Sequence, residues 1–249
     1  MKITWIIEND DIQRIREFVN KHNNPFVEIR IMRNVKRQNI RIDKDSILKH
    51  MLMCLLTTQQ RSGPNTPVGL FMQKTPFPLT IENIETNDDI ENFIRITLQQ
   101  NGLNRYINRI PKFCATNISY LQKTKWHLIE ILKTKLVDGS TKDTEREVAD
   151  YIDKTFSGFG PKQSRNFLQA LGLTKYEIPV DSRITAWLNE FGFPVTLSSK
   201  ALQDIGYYHF VSGGIQQLCE QAGIYPCVLD AAIFSSFDDG QWTKDNVVY

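Results

Sequence analysis

The chain has 249 residues, 41% hydrophobic and 23% charged, a balance that supports a buried core and excludes wholesale disorder. Thirty basic and 28 acidic residues leave a formal charge of +2, so bulk charge does not announce a nucleic-acid partner. Four scattered cysteines without a CxxC pair, and four histidines without metal-ligand spacing, argue against a disulfide framework, a zinc site or an iron–sulfur cluster. The apolar run at the start is too short for a secretory signal, and no segment reaches the ~20 apolar residues of a membrane span. A reducing compartment is expected, and secretion is not.

In chain order, the opening segment reads as two short strands, Ile3–Ile7 and Phe26–Met32, with a helix over Ile12–Val19 between them. The alternation of Val27, Ile29 and Ile31 supports the second strand. Arg30, Arg33, Lys36, Arg37 and Arg41 then form a basic run without an acid, an ordinary solvated cluster on its own. Ile47–Leu56 is apolar on nearly all sides, which predicts a central buried helix with Cys54 inside it. The helix runs out in the polar stretch from Thr57 to Ser62, closed by Gly63-Pro64. Further helices are expected over Asn87–Asn101, Tyr106–Leu121 and Trp126–Leu136, so the fold class is mainly α.

The most informative stretch runs from Thr144 to Phe191. Thr144 and Glu147 suit a capping box for a helix whose apolar face is Val148, Tyr151, Ile152 and Phe156. Gly158 and Gly160 bracket Phe159 in a turn whose backbone N–H groups can approach a phosphate without Cβ interference. Pro161 suits the first position of the next helix, which ends at Gly172. Such a unit grips phosphate without reading sequence; the glycine turn alone fits an ordinary αα-hairpin equally well. Lys162 lies in the first turn, where the helix dipole disfavours an ammonium and favours an amine nucleophile. Asp181 suits an N-cap for the following helix, and a carboxylate held by backbone N–H groups is also rigid enough for catalysis. Arg183, in the same turn, is within reach of a phosphate. Near the end, Asp230 and Phe234 lie four apart, which puts a carboxylate and a ring on one helix face.

Phe156-Ser-Gly-Phe-Gly-Pro-Lys162 followed nineteen residues later by Asp181, in Pro179-Val-Asp181, resembles the helix-hairpin-helix DNA glycosylase superfamily (HhH-GPD), and most of all its 8-oxoguanine DNA glycosylase/AP lyases. The resemblance spans about Asp45 to the end. It implies a two-lobed helical fold with a small N-terminal β element and an active groove between the lobes. Residues 1–44 would pack with a C-terminal lobe of residues 175–249, and residues 45–174 would form a helical barrel ending in the hairpin. Lys162 and Asp181 would be catalytic, in a bifunctional glycosylase/lyase that excises 8-oxoguanine through a Schiff base. Asp230 and Phe234 would hold the base. Gln59 would fill the gap left in the duplex, and Gly158, Gly160 and Arg183 would contact DNA. Asp230 departs from the eukaryotic-type enzymes, which have glutamine there. The final residues Asp245 to Tyr249 lack the terminal lysine of one related group. Only Cys219 and Cys227 follow the hairpin, so the iron–sulfur cluster of endonuclease III is not expected. No catalytic metal is expected; a monovalent cation at the hairpin carbonyls is implied by resemblance alone. The expected partner is double-stranded DNA with a damaged base, bound by a monomer. Two alternatives stand beside this reading: an oxidised-pyrimidine glycosylase/lyase of the endonuclease III type, and a non-catalytic DNA-binding module.

Overall fold

The structure, a computed structural model, describes residues 3–60, 62–198, 200–237 and 242–243. Arg61 in the polar stretch and the final residues from Lys244 lie outside them. Among the described residues there is no strand. Thirteen α-helices follow one another: α1 (Asn9–Lys21), α2 (Pro25–Arg30), α3 (Lys44–Leu56), α4 (Pro67–Met72), α5 (Ile81–Glu85), α6 (Ile90–Gln100), α7 (Ile110–Lys123), α8 (His127–Leu132), α9 (Lys142–Thr155), α10 (Pro161–Ala170), α11 (Ser182–Phe191), α12 (Ile205–Ala222) and α13 (Pro226–Ser236). None is long and apolar enough to cross a membrane.

The mainly α expectation holds, but the N-terminal β element does not. Ile3–Ile7 has no regular structure, and the stretch read as a second strand is α2 running into a π-helical turn, Ile31–Val35. The alternation misleads because a helix start precedes it. Asn24 Oδ1 accepts from the N–H groups of Phe26 (3.0 Å) and Val27 (3.2 Å), and Pro25 takes the first helical position. Phe26, Val27 and Arg30 then bury together at helical spacing. The cap of α9 also moves: Thr141, not Thr144, is the N-cap, and Thr144 is its capping-box partner at N3.

Buried apolar side chains gather in two clusters. One draws on residues 47–173, from α3 to the loop after α10. The other joins the two ends of the chain, Ile15–Val27 with Ile178–Trp242. Helix α3 is the axis of the first, with Ile47, Leu48 and every residue from His50 to Leu56 buried. Each such Leu, Ile or Met contributes about 1.5–3 kcal/mol by leaving water. Helix α3 packs on α4, α5, α7 and α10, and α13 packs on α1, α2, α11 and α12.

The basic run does not face solvent as a patch. Arg30 is buried, while Arg33 Nη2 donates to Ala170 O (2.8 Å) and Arg37 Nη2 to Leu173 O (3.0 Å). Arg37 Nη1 also donates to Gly172 O. Asn34 Nδ2 bridges Gln169 O (3.0 Å) and Thr174 O (2.8 Å). The segment after α2 therefore caps the negative end of α10, where carbonyls lack helical partners and cations are favoured.

Candidate active site

The hairpin is held from both sides. Asn117 on α7, fully buried, accepts from Ser157 N (2.7 Å) and donates to Ser157 O (3.1 Å). Phe156, Phe159 and Phe167 pack ring against ring, with centroids 5.3–6.0 Å apart. The two glycines prove different in kind. Gly158 has φ +80°, and a Cβ there would sit 2.5 Å from Phe113 Cδ2. Gly160 is extended, and nothing lies within 4 Å of where its Cβ would be. Gly158 thus closes the turn, and Gly160 leaves the start of α10 open. No side chain caps that start.

Lys162 follows at the second position of α10, half-buried, its Nζ 3.5 Å from Gln163 Oε1. Burial pushes its amine below the usual lysine range, and the Arg183 guanidinium lowers it further. Asp181 opposes this most strongly, with Cys54 and Asp230 acting in the same direction. Lys162 thus feels groups from α3, from the start of α11 and from α13. Asp181 is the N-cap of α11: its Oδ1 accepts from Arg183 N (2.9 Å) and Ile184 N (3.1 Å), and its Oδ2 from Arg183 Nε (3.2 Å). One carboxylate thus caps α11 and supplies the charge that most strongly favours the Lys162 ammonium.

Asp230 is buried on α13 and accepts from Gln169 Nε2 at 2.6 Å, with Arg30 Nη1 3.9 Å away. Burial raises its carboxyl to about 6, against the opposing pull of Arg30. Phe234 stacks on Phe26 (5.0 Å) and carries the Arg183 guanidinium 4.0 Å from its centroid. Arg183 therefore touches both Asp181 and Phe234. Gln59 stands apart. It is exposed with φ +53°, and its Oε1 accepts from Arg105 Nη2 (3.0 Å) and Tyr106 Oη (2.6 Å). The polar stretch still reaches the hairpin through Thr58 Oγ1, which accepts from Gln163 Nε2 (2.9 Å).

Sequence reading missed Arg30, Gln169 and Gln163. Arg30 Nη1 and Gln169 Oε1 are buried beside Asp230 without a hydrogen-bond partner. Gln169, seven residues after Lys162, shares its helix face, which was a usable signal. Arg30 carried none, since its segment was read as a strand. Two surface clefts, of about 520 and 760 Å³, are lined by residues 41–45 with 81–86 and by Lys44 with residues 124–134, and share no residue with this site. Among the described residues no cluster of three or more His, Cys, Asp or Glu is placed to hold a metal ion.

No protein-family model matches the chain, and no curated protein sequence matches it. Solved structures do. The 8-oxoguanine DNA glycosylase of Thermotoga maritima superposes with a TM-score of 0.62 at 16% identity, covering 93% of this chain and 96% of that one. The 8-oxoguanine DNA glycosylase of Methanocaldococcus jannaschii gives 0.61 at 16% identity, covering 91% and 94%. At such identity the likeness establishes the fold: over nearly its whole length, this chain folds like these two enzymes.

Proposed function

We propose that this chain is a DNA glycosylase that excises an oxidised base, 8-oxoguanine, from double-stranded DNA through Lys162 and then cleaves the strand at the resulting abasic site. The observation that carries this reading is the electrostatic pairing of a half-buried lysine whose amine is lowered by burial with a carboxylate fixed by two backbone N–H groups. Lys162 belongs to the last helix of the first core, and Asp181 caps α11, the helix with which the chain rejoins the second. That arrangement supports two lobes, residues 45–174 and the two chain ends, with the active groove between them. The fold shared with two 8-oxoguanine DNA glycosylases supports the substrate.

In this reading the uncapped start of α10, with Gly160 beside it, takes a phosphate of the duplex, and Arg183 takes another. Gln59 fills the gap that the flipped base leaves. The Lys162 amine attacks C1′ as the C1′–N9 bond breaks, and the base leaves with the bonding electrons and is protonated. Asp181 stabilises the positive charge developing on the sugar. The amine loses its proton to O4′ as the C1′–O4′ bond breaks, opening the sugar ring and leaving a C1′=N Schiff base. Loss of a C2′ proton then expels the 3′ phosphate, and water releases Lys162. Phe234 stacks on the base and Asp230 accepts a purine N–H. The unpartnered Arg30 donor and Gln169 acceptor fit a base edge that carries both an oxygen and an N–H. No redox cofactor enters. The hairpin carbonyls keep lone pairs for a bracing monovalent cation, Ser157 O spending one on Asn117, and no step runs through it. A DNA substrate is consistent with a nucleoid or nuclear protein, and one copy carries every residue that this reading uses.

Borohydride trapping tests the reading, with duplexes carrying 8-oxoguanine, an oxidised pyrimidine, a preformed abasic site or no lesion. A covalent adduct and free base from the 8-oxoguanine duplex are expected. Adduct from the oxidised pyrimidine alone would move the substrate to the endonuclease III type. Binding without adduct or excision on any duplex would leave a DNA-binding module.

A further inference from the structure

Asp181 follows a segment, Glu177-Ile-Pro-Val180, that makes no helix and whose Pro179 has no N–H to donate. Glu145 and Thr174 meet the backbone of Glu177, and beyond it one side chain holds the segment. Tyr208 on α12, fully buried, donates its hydroxyl to Ile178 O (2.8 Å) and accepts from Val180 N (2.8 Å), clasping the chain on either side of Pro179. The ring is fixed in turn, with the Arg165 guanidinium 5.0 Å from its centroid. Arg165 stands one turn after Lys162 on the same helix. It is fully buried and donates from Nε to Glu177 Oε2 (2.9 Å) and from Nη2 to Asp150 Oδ1 (2.5 Å). Glu177 is also fully buried, and its Oε1 accepts from Arg146 Nε (3.1 Å) and Gln216 Nε2 (2.8 Å). Both ends of the segment that delivers Asp181 are therefore tied to the helix that carries Lys162.

We infer that Tyr208, locked in place by Arg165, is a positioning residue that sets where Asp181 stands relative to Lys162. The hydroxyl serves as donor and acceptor at once, which only the neutral phenol does, and burial keeps the phenol well above its ordinary range. The clasp acts through Asp181 and touches no substrate. A carboxylate aimed at a developing charge acts only from one place, and misplacement by about 1 Å is worth roughly a hundredfold in rate. The role of the clasp in catalysis rests on the lysine chemistry proposed above.

Tyr208→Phe keeps the ring beneath Arg165 and removes the hydroxyl alone. Single-turnover excision from lesion duplex should fall roughly tenfold to a hundredfold, with the dissociation constant for that duplex unchanged. A second readout needs no activity: the pH dependence of Lys162 acetylation, followed by mass spectrometry. Lys162 is faced by Asp181 and Arg183, by Cys54 and by Asp230. Asp181 raises its pKa, so displacing Asp181 should move the titration midpoint to lower pH. Val211→Ala, at a buried position on the same helix, supplies the comparison for destabilisation alone, and should leave the midpoint in place. If both variants lose thermal stability while neither shifts the midpoint or slows excision beyond the other, Tyr208 is packing and the inference falls. Should Tyr208→Phe fail to fold, Glu177→Gln loosens the other end of the segment and is read in the same two ways. A wild-type chain that excises nothing would sink the proposed function, and the acetylation readout would still decide the clasp.

Discussion

The two ends of α10 are treated in opposite ways. At its C-terminus, Arg33, Asn34 and Arg37 reach across from the N-terminal segment and occupy the carbonyls of Gln169, Ala170, Gly172 and Leu173. Positive groups meet the negative pole and buried acceptors are satisfied, the arrangement that stabilises a helix. At its N-terminus no side chain caps the helix, Gly160 faces open space, and Lys162 sits where the dipole disfavours its charge. One end is completed by the protein's own side chains, and the other is left uncapped. Stability is concentrated at the satisfied pole and the candidate chemistry at the unsatisfied one.

Lys162→Gln should break the contrast most sharply. It removes the amine in the first turn of α10, so borohydride trapping should disappear on every duplex. Binding to lesion duplex, measured by fluorescence anisotropy, should persist because the backbone at Gly160 is untouched. Trapping at wild-type level would transfer the nucleophile to another lysine.

Asp181→Asn separates cap from catalyst. The amide oxygen still accepts from Arg183 N and Ile184 N, so thermal unfolding should change little. Base excision should fall by about 10²–10⁴-fold, as expected on loss of a charged group that acts in the transition state. Wild-type rates would reduce Asp181 to a cap.

Asn34→Ala probes the satisfied pole. Gln169 O and Thr174 O each lose a buried donor, so stability in denaturant should drop by about 1–3 kcal/mol. Excision per folded molecule, at a temperature where both proteins are folded, should remain at the wild-type rate. A large loss of rate without loss of stability would mean that the two ends are coupled.

Asp230→Asn carries a pH signature of similar size. The folded carboxyl titrates near 6, above its ordinary value of about 4, so the folded state binds the proton more tightly. Wild-type stability from this group is therefore greatest below about pH 4, declines as pH rises through 6, and stays reduced above it. The full effect amounts to at most about 3 kcal/mol, and the Asn variant should lose this slope between pH 4 and 6. Excision of 8-oxoguanine should also fall more than cleavage at a preformed abasic site, which presents no base to read.

The glycines give the smallest effect and the finest resolution. Gly160→Ala should leave stability within about 0.5 kcal/mol while weakening binding to damaged and undamaged duplex alike. Gly158→Ala should instead destabilise, because of its φ of +80° and the contact with Phe113. Equal behaviour of the two variants would erase the distinction between closing the turn and opening it.

Much of this was legible along the chain where the signal is local. The buried α3 follows from an apolar run with no polar face, the hairpin from Gly158, Gly160 and Pro161, and α13 from Pro226. Asp181 as an N-cap and the helix after it also follow from local pattern. The N-terminal segment was misread because a period of two in three apolar residues competed with an Asn-Pro helix start, and the cap decides where backbone N–H groups go. The capping threonine of α9 was missed by three residues because Thr141 and Thr144 offer the same hydroxyl chemistry.

A few neighbouring residues settle among themselves a mainly helical chain, a glycine hairpin opening a helix, a lysine in its first turn and an aspartate heading the helix that follows. Tertiary structure alone decided which distant groups surround them. Arg30 beside Asp230, Asn117 holding Ser157, Tyr208 clasping the chain at Pro179, and Arg33 and Arg37 turned inward onto α10 all join residues far apart in sequence. The physical reason is that periodicity and capping report only the nearest turn of chain. A buried polar atom takes whichever partner the packed core brings within about 3 Å, and no local pattern encodes that choice.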